Sequence, residues 1–364
     1  MKKWLSVVLV LLVAVMIAAC GNSNQGSSES QPPGSSGSGG GQSAQNSGSS
    51  ASSGSSGEVI RIKYGTAEQA DMAPGTMSQW VTDEINKRAE GRIVVEHYGQ
   101  SVLGNDAELM QQGLDGTLQI FAVGTSAFSQ YNNLFDAVQL PFLITDYDIQ
   151  YQALKSPEFM ALVEQVEKDL DIKFLGFAEN GLRHFATIEK PVHNVSDLKG
   201  MKIRIAPSNM LQRAMESLGA NPISMPYTEV FTGLQNRVID GEEINIGSIA
   251  SQKHYEVINY LSEIGMYPFP ATYWMNGNFY RSLSEEDFQL IKTVFEEGRD
   301  KVFNELLPQI EGNFRQTIID AGVQVNVIED KTEFQQIVEP LYGELEAADE
   351  RIAAFINMVK GLKK

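Results

Sequence analysis

A chain of 364 residues with 42% hydrophobic content is long enough for two domains, each with a sizeable core. Its 28 Lys and Arg against 46 Asp and Glu leave a net charge of −18, which argues against nucleic acid or an anionic lipid surface as partner, since both would repel it. An anionic ligand would have to be drawn in by single, well-placed cations, so every such Arg is informative.

Lys2 and Lys3 precede an unbroken apolar run over 7–19, short for a bilayer span and ending in small residues, as a secretory signal does. Cys20 follows it and is the only cysteine, so no intrachain disulfide can form. Ile17-Ala18-Ala19-Cys20 resembles the lipobox of bacterial lipoproteins, which implies a signal peptide over 1–19 and lipidation of Cys20. An uncleaved anchor helix is the alternative; either way the remainder is exported and held at a membrane. From 20 to 57 the chain is mostly Ser, Gly, Asn and Gln, with Glu29 its only charge. It has nothing to bury against the cost of ordering its backbone, and as a flexible tether it has a mean reach of roughly 35 Å.

Short β-type runs then alternate with helical ones. "VIRIKYG" (59–65) alternates with period two, and "TMSQWVTDEINKRAEG" (76–91) sets Met77, Trp80, Val81 and Ile85 on one helical face before a stop at Gly91. "RIVVEHYG" predicts a strand, "NDAELMQQGLDG" a helix, and "TLQIFAVGTS" a strand running into a small-residue turn. The alternation resumes with the strands "IKFLGFA", "HFATI" and "MKIRIA", the helix "SNMLQRAMESLG" and the strand "NPISMP". "RVID" reads as a further strand ahead of a tight turn at Gly241. Two such blocks, on either side of about Gly181, predict an α/β fold with mixed sheets in two domains. From 284 to about 321 the pattern is helical, with Ser284 as N-cap and a kink or division at Pro308. A last strand, "VQVNVIE", leads to a final helix from about 333 that Pro340 is expected to break.

The four histidines show no HExxH or zinc-type spacing, and no GxSxG elbow, P-loop or dinucleotide fingerprint lies outside the tether. No catalytic instrument, metal site or cofactor site is visible. Two arginines stand out instead: Arg183 at the mouth of a predicted strand, and Arg204 between Ile203 and Ile205. If their strands share a sheet, both guanidiniums can converge on a cleft at the strand ends, where a planar two-bond fork suits a carboxylate. Period-two alternation alone favours the opposite for Arg204, outward beside Lys202. Glu242, Glu243 and Asn245 follow Gly241, placed either to cap a helix or to meet a ligand.

Taken together, "GQSVLGNDAELMQQGLDGTLQI", "LPFLITD", "ENGLRH", "VSDLKGMKIRIAPSNML" and "SLGANPISMPYTEVFTGLQNRVIDGEE" resemble the solute-binding proteins of TRAP transporters, over nearly all of 60–290. The resemblance implies a two-lobed periplasmic-binding-protein-like α/β fold with a hinge and long C-terminal helices bridging the lobes. It divides the chain into lobe I, 58–181 plus about 270–309, and lobe II, 182–269 plus about 310–364. It further implies an extracytoplasmic, non-enzymatic receptor that needs no cofactor and delivers its ligand to a sodium-coupled permease. The ligand would be a small organic acid: a dicarboxylate, keto acid or sugar acid. By family position Arg204 would pair with the carboxylate and Arg183 assist; Tyr227, Asn245 and Glu243 would line the pocket from one lobe, Thr125 and Ser126 from the other. Where many members read DGQEN this chain has Ile244, with Asn245 one residue late, and no His stands near Met266 and Tyr267. A sensory receptor feeding a membrane kinase and a surface-tethered enzyme are the alternatives. The long tether suits a Gram-positive surface.

Overall fold

The computed structural model describes residues 59–363, so Cys20 and the expected signal peptide and tether lie outside the described residues. The first half of the order is β1 (Ile60–Gly65), α1 (Ala73–Arg88), β2 (Ile93–Tyr98), α2 (Asp106–Asp115), β3 (Ile120–Gly124), α3 (Tyr147–Ala153), α4 (Pro157–Leu170) and β4 (Ile172–Leu182). There follow β5 (His184–Thr187), β6 (Lys202–Ile205), α5 (Asn209–Ser217), β7 (Asn221–Ser224), α6 (Val230–Gln235), β8 (Gly241–Ile244), α7 (Ile246–Ser251) and β9 (Tyr260–Glu263). The chain closes with β10 (Pro268–Asn276), α8 (Gly277–Ser282), α9 (Glu285–Lys301), α10 (Leu307–Asp320), β11 (Gln324–Val327), α11 (Thr332–Ala348) and α12 (Glu350–Leu362).

Two mixed sheets make two lobes. The first runs β2-β1-β3-β10-β4 and the second β11-β9-β5-β8-β6-β7. In the first, β1 is parallel to β2 and β3 while β10 runs antiparallel to β3 and β4. In the second, β6 is parallel to both β7 and β8, and β5 is antiparallel to β8 and β9. The chain crosses between sheets at Arg183, separating β4 from β5, and again over 264–267, separating β9 from β10. The two crossings are hydrogen-bonded to each other: Arg183 N–H donates to the Tyr267 carbonyl at 2.9 Å and Met266 N–H to the Arg183 carbonyl at 2.9 Å. Gly181, at φ 122°, supplies a backbone conformation that L side chains rarely adopt, next to the irregularity in the β4–β10 pairing just before the crossing.

A third crossing is helical. α9 packs on α1 and β4, and α10 on α7. They are joined by a π-helical turn, Val302–Leu306. Pro308 has no N–H for a bond four residues back, and the widened turn ahead of it is how the helix passes on without stopping. Pro340, by contrast, does not break α11, which continues to Ala348. The C-terminal helices brace both lobes: α11 meets α5 of the second, while α12 lies on α3 and α4 of the first. Assigning all of 310–364 to the second lobe therefore needs correction, because the apolar face of α12, with Phe355 6.0 Å from the Phe159 ring, is buried against α4.

"RVID" also differs from expectation. Residues 236–240 form turns and bends, and the strand opens only at Gly241. This glycine has an ordinary φ; what it serves is closeness, since a Cβ there would lie 2.5 Å from the Ala186 carbonyl oxygen of β5. Gly241→Ala is expected to destabilise by about 1–3 kcal/mol through forced separation of β5 and β8, read as a lower urea midpoint at unchanged slope.

Candidate functional site

The lobes enclose a cavity of about 380 Å³ at the carboxyl ends of the strands. The first sheet contributes Glu68 after β1, Ser101 and Asp106 after β2, and Gly124 and Ser126 at the end of β3. The second contributes Arg204 and Ala206 at the end of β6, Ser224 of β7, and Tyr227, Asn245 and Ser248. Arg183 enters from the first crossing and Phe269 from the start of β10. Strand ends leave side chains and backbone groups free to meet a ligand without breaking a sheet ladder.

Arg204 is 2% exposed, inward and not outward as alternation alone would have it. Its Nε and Nη2 donate to the Met225 carbonyl at 3.0 and 2.8 Å, which fixes the plane of the guanidinium. Nη1 has no partner, and no carboxylate is hydrogen-bonded to this cation, among the described residues. Burial and the nearby Arg183 hold its pKa below the usual value, with Glu243 and Glu242 pulling the other way. Arg183 differs: its Nε donates to Glu243 Oε2 at 2.7 Å and its Nη2 to Glu243 Oε1 at 3.0 Å and to the Glu243 carbonyl at 2.7 Å. Burial opposes its charge, but the Glu243 carboxylate more than compensates and its pKa lies above the ordinary range. The guanidinium also sits 4.5 Å over the Phe269 ring.

Two expected ligand contacts are corrected by this geometry. Glu243 is fully buried behind Arg183 and does not line the cavity; besides Arg183 it accepts from Ala206 N–H at 3.2 Å and from the Tyr267 hydroxyl at 2.5 Å. It holds Arg183 in place, which register explains, since β8 pairs Glu243 with Phe185 of β5. Thr125, at the start of a 3-10 turn, Thr125–Gln130, does not line the cavity, whereas its neighbour Ser126 does. Tyr227 lines the cavity with a hydroxyl that is buried and unpartnered among the described residues.

Asn245 also lines the cavity. Ile244 is the last residue of β8 and packs into the core of the second lobe. Asn245 is already off the strand as N-cap of α7, its Oδ1 accepting from Ser248 N–H at 2.7 Å. The one-residue displacement therefore does not send it to the opposite face.

Sequence reading missed Glu68, Asp106 and Phe269. Asp106 opens α2 behind an Asn105 capping box, in which Asn105 accepts from Ala107 and Glu108 N–H while Glu108 accepts from Asn105 N–H. Its Oδ2 accepts from Gly124 N–H at 3.1 Å, and a Cβ on Gly124 would lie 2.8 Å from the Phe269 ring. Glu68 is 8% exposed, and its Oε2 has no partner among the described residues. Burial, then the neighbouring Asp106, pushes its pKa up to about 8. Position at a strand's carboxyl end was the available signal for both acids.

The histidines serve the structure. His184 Nδ1 accepts from Ile264 and Gly265 N–H at 3.1 and 3.0 Å, and burial lowers its pKa to about 3. His254 Nδ1 is 2.8 Å from Glu242 Oε1. No cluster of three or more His, Cys, Asp or Glu suited to a metal occurs among the described residues, and no helix there is long and apolar enough to cross a membrane.

Residues 68–349 match the family described as bacterial extracellular solute-binding protein, family 7. The chain belongs to this family. As a family 7 protein it is 28% identical over 260 residues to a solute-binding protein of Chromohalobacter salexigens, covering 71% of this chain and 76% of the relative. It is 30% identical over 244 residues to the 2,3-diketo-L-gulonate-binding periplasmic protein of Escherichia coli K12, covering 67% and 74%. Among solved structures, a TRAP periplasmic solute-binding protein of Xanthobacter autotrophicus Py2 with bound β-D-galacturonate matches at TM-score 0.78 and 27% identity, over 82% of this chain and 99% of that one. Another, of Polaromonas sp. JS666 bound to D-erythronate, matches at TM-score 0.77 and 25% identity, over 82% and 98%. This family 7 protein is accordingly a TRAP-type substrate receptor.

Glu243→Ala is expected to destabilise by about 3–5 kcal/mol, because it strands a buried cation; chemical unfolding measures it. Glu68 supplies a pH test. With its folded pKa raised from 4.5 to about 8, the native state binds more protons than the unfolded chain between those values, so its contribution disfavours folding increasingly as pH rises through that window. Glu68→Gln should flatten the fall in melting temperature of the ligand-free protein between pH 5 and pH 8, and an unchanged slope would refute the assignment.

Proposed function

We propose that this protein is a lipid-anchored extracytoplasmic receptor that binds a small organic carboxylate between its lobes and hands it to a sodium-coupled TRAP permease, making and breaking no bond in the ligand. The observation that carries this is Arg204: a buried, permanently charged fork with a free nitrogen, facing a cavity and hydrogen-bonded to no acid among the described residues. A dehydrated cation is costly, and a ligand carboxylate is the group that would satisfy it with two parallel hydrogen bonds. Arg183, held by Glu243, would add a second cationic face, and Tyr227 and Asn245 offer polar contacts from the same lobe. The names of the relatives support the chemistry, since 2,3-diketo-L-gulonate, galacturonate and erythronate all carry a carboxylate. The Cys20 motif supports the anchor, and the crossings at Arg183 and 264–267 provide a place for hinged closure.

A thermal-shift screen of the full chain against carboxylic acids tests the reading. A true ligand at 100 times its Kd should add about 2.7 kcal/mol of stability. Arg204→Ala is expected to abolish that gain, and Arg204→Lys to weaken it, since a point charge cannot replace the fork. Undiminished binding in Arg204→Ala would sink the assignment.

A further inference from the structure

Polar groups that the carboxylate reading does not use meet behind the cavity, where the lobes are joined. Glu179, near the end of β4, is fully buried and does not line the cavity. The β4–β10 ladder is irregular between Pro268 and Pro270, and the Glu179 side chain takes over there: its Oε1 accepts from Phe269 N–H at 3.0 Å and from Gly181 N–H at 2.6 Å. The adjoining Asn180 Nδ2 donates to the Phe269 carbonyl at 3.1 Å. Phe269 is thus held by both of its main-chain groups, and its ring lies beneath the Arg183 guanidinium at the cavity.

Helix α3 of the first lobe completes the cluster. Gln150 Nε2 donates to Glu179 Oε2, and Tyr147, three residues earlier on the same helical face, accepts from Leu182 N–H at 3.3 Å and donates to Glu311 Oε1 of α10 at 2.8 Å. All three crossings are therefore tied to one cluster: the first at Gly181 and Leu182, the second just beyond it at Phe269, the helical one at Glu311.

The acids of this cluster have no counter-charge. No cation is hydrogen-bonded to Glu179 or Glu311 among the described residues. Arg315 of α10 pairs with Glu263 of β9 at 2.6 Å, and Arg299 of α9, 5.7 Å over the Phe177 ring of β4, pairs with Asp300 at 2.7 Å. Burial outweighs the hydrogen bonds to Glu179 and, with Glu311 adding to it, raises its pKa to about 7; burial raises that of Glu311 as well. Protonation therefore favours the intact cluster, and a conformer that admits water to Glu179 gains on it as pH rises. Gln150 can follow the change, since its Oε1 has no partner among the described residues and a half-turn of the amide presents it to a protonated Glu179.

Resting on the carboxylate reading of the cavity, we infer that Glu179 is a positioning residue for it: protonated, it holds Phe269, the ring beneath Arg183, in place for the ligand, and its ionisation loosens the joint, so that ligand affinity falls with rising pH. The group acts from outside the cavity and touches no ligand.

Calorimetric titration of the full chain from pH 5.5 to pH 8.5 with D-galacturonate, D-erythronate and 2,3-diketo-L-gulonate tests it. For the tightest of these, Kd should rise at least about threefold more between pH 6 and pH 8 in the wild type than in Glu179→Gln, any share due to Glu68 being common to both. Glu311→Gln, which removes a neighbouring charge, should move the midpoint of that rise to lower pH, a displacement that a merely structural role of Glu179 would not produce. In the ligand-free protein, protection of the Phe269 amide against hydrogen exchange should fall over the same range. Equal pH slopes in the wild type and Glu179→Gln, or an unmoved midpoint in Glu311→Gln, overturn this inference and leave the carboxylate reading standing. Failure of all three acids to bind counts against the carboxylate reading, and Phe269 protection that does not change with pH then overturns this inference by itself.

Discussion

The carboxylate of Glu243 is the point on which the site depends. It receives the Arg183 guanidinium from one strand crossing, the Tyr267 hydroxyl from the other, and the Ala206 N–H at the end of the strand that carries Arg204. Three separate stretches of chain are thereby gathered on one buried group. An ion pair this deep loses its hydration and is maintained only where further hydrogen bonds fill the remaining lone pairs, as they do here. Its net worth to stability is small beside its worth to geometry, because it fixes the face that Arg183 presents to the cavity.

The two arginines, similar in sequence setting, are thus unequal in the fold. Arg183 is charge-paired with Glu243 and lies over the ring of Phe269; Arg204 is tied only to a main-chain carbonyl and keeps its charge available. A strongly acidic protein can bind an acid on this basis: the overall field repels, and the local field of one dehydrated cation at short range prevails.

Much of this was legible in the sequence, and the failures have identifiable causes. Alternation of strand and helix gave the fold class, and Ser284 marks a helix start because its side chain replaces a missing backbone partner. Alternation misplaced Arg204, for a strand buried on both faces has no outward side and only its exposed end residue, Lys202, obeys the rule. Asn245 departs from the family pattern in sequence, but it lies past the end of β8 as a helix cap, so strand register does not decide which way its side chain faces. Glu68 escaped notice because it sits in a connection with no local motif, and Asp106 because the capping motif around it accounts for a helix start and not for a cavity; only the approach of two sheets brings them opposite the arginines. Pro308 and Pro340 carry the same local signal, yet one is accommodated by a π turn and the other within an unbroken helix, a difference set by surrounding packing.

Placing Arg183 at the junction of the two sheets has a consequence for how such a receptor can change over time. Its side chain both lines the cavity and pairs with Glu243, which also holds the Tyr267 hydroxyl of the other crossing, so replacing it alters the pocket and the packing of the joint at once. Glu68, by contrast, belongs to the buried connection after β1, which takes no part in either crossing. A change of polar groups on the first-lobe side of the cavity can therefore be made without disturbing the cationic wall or the joint that carries it.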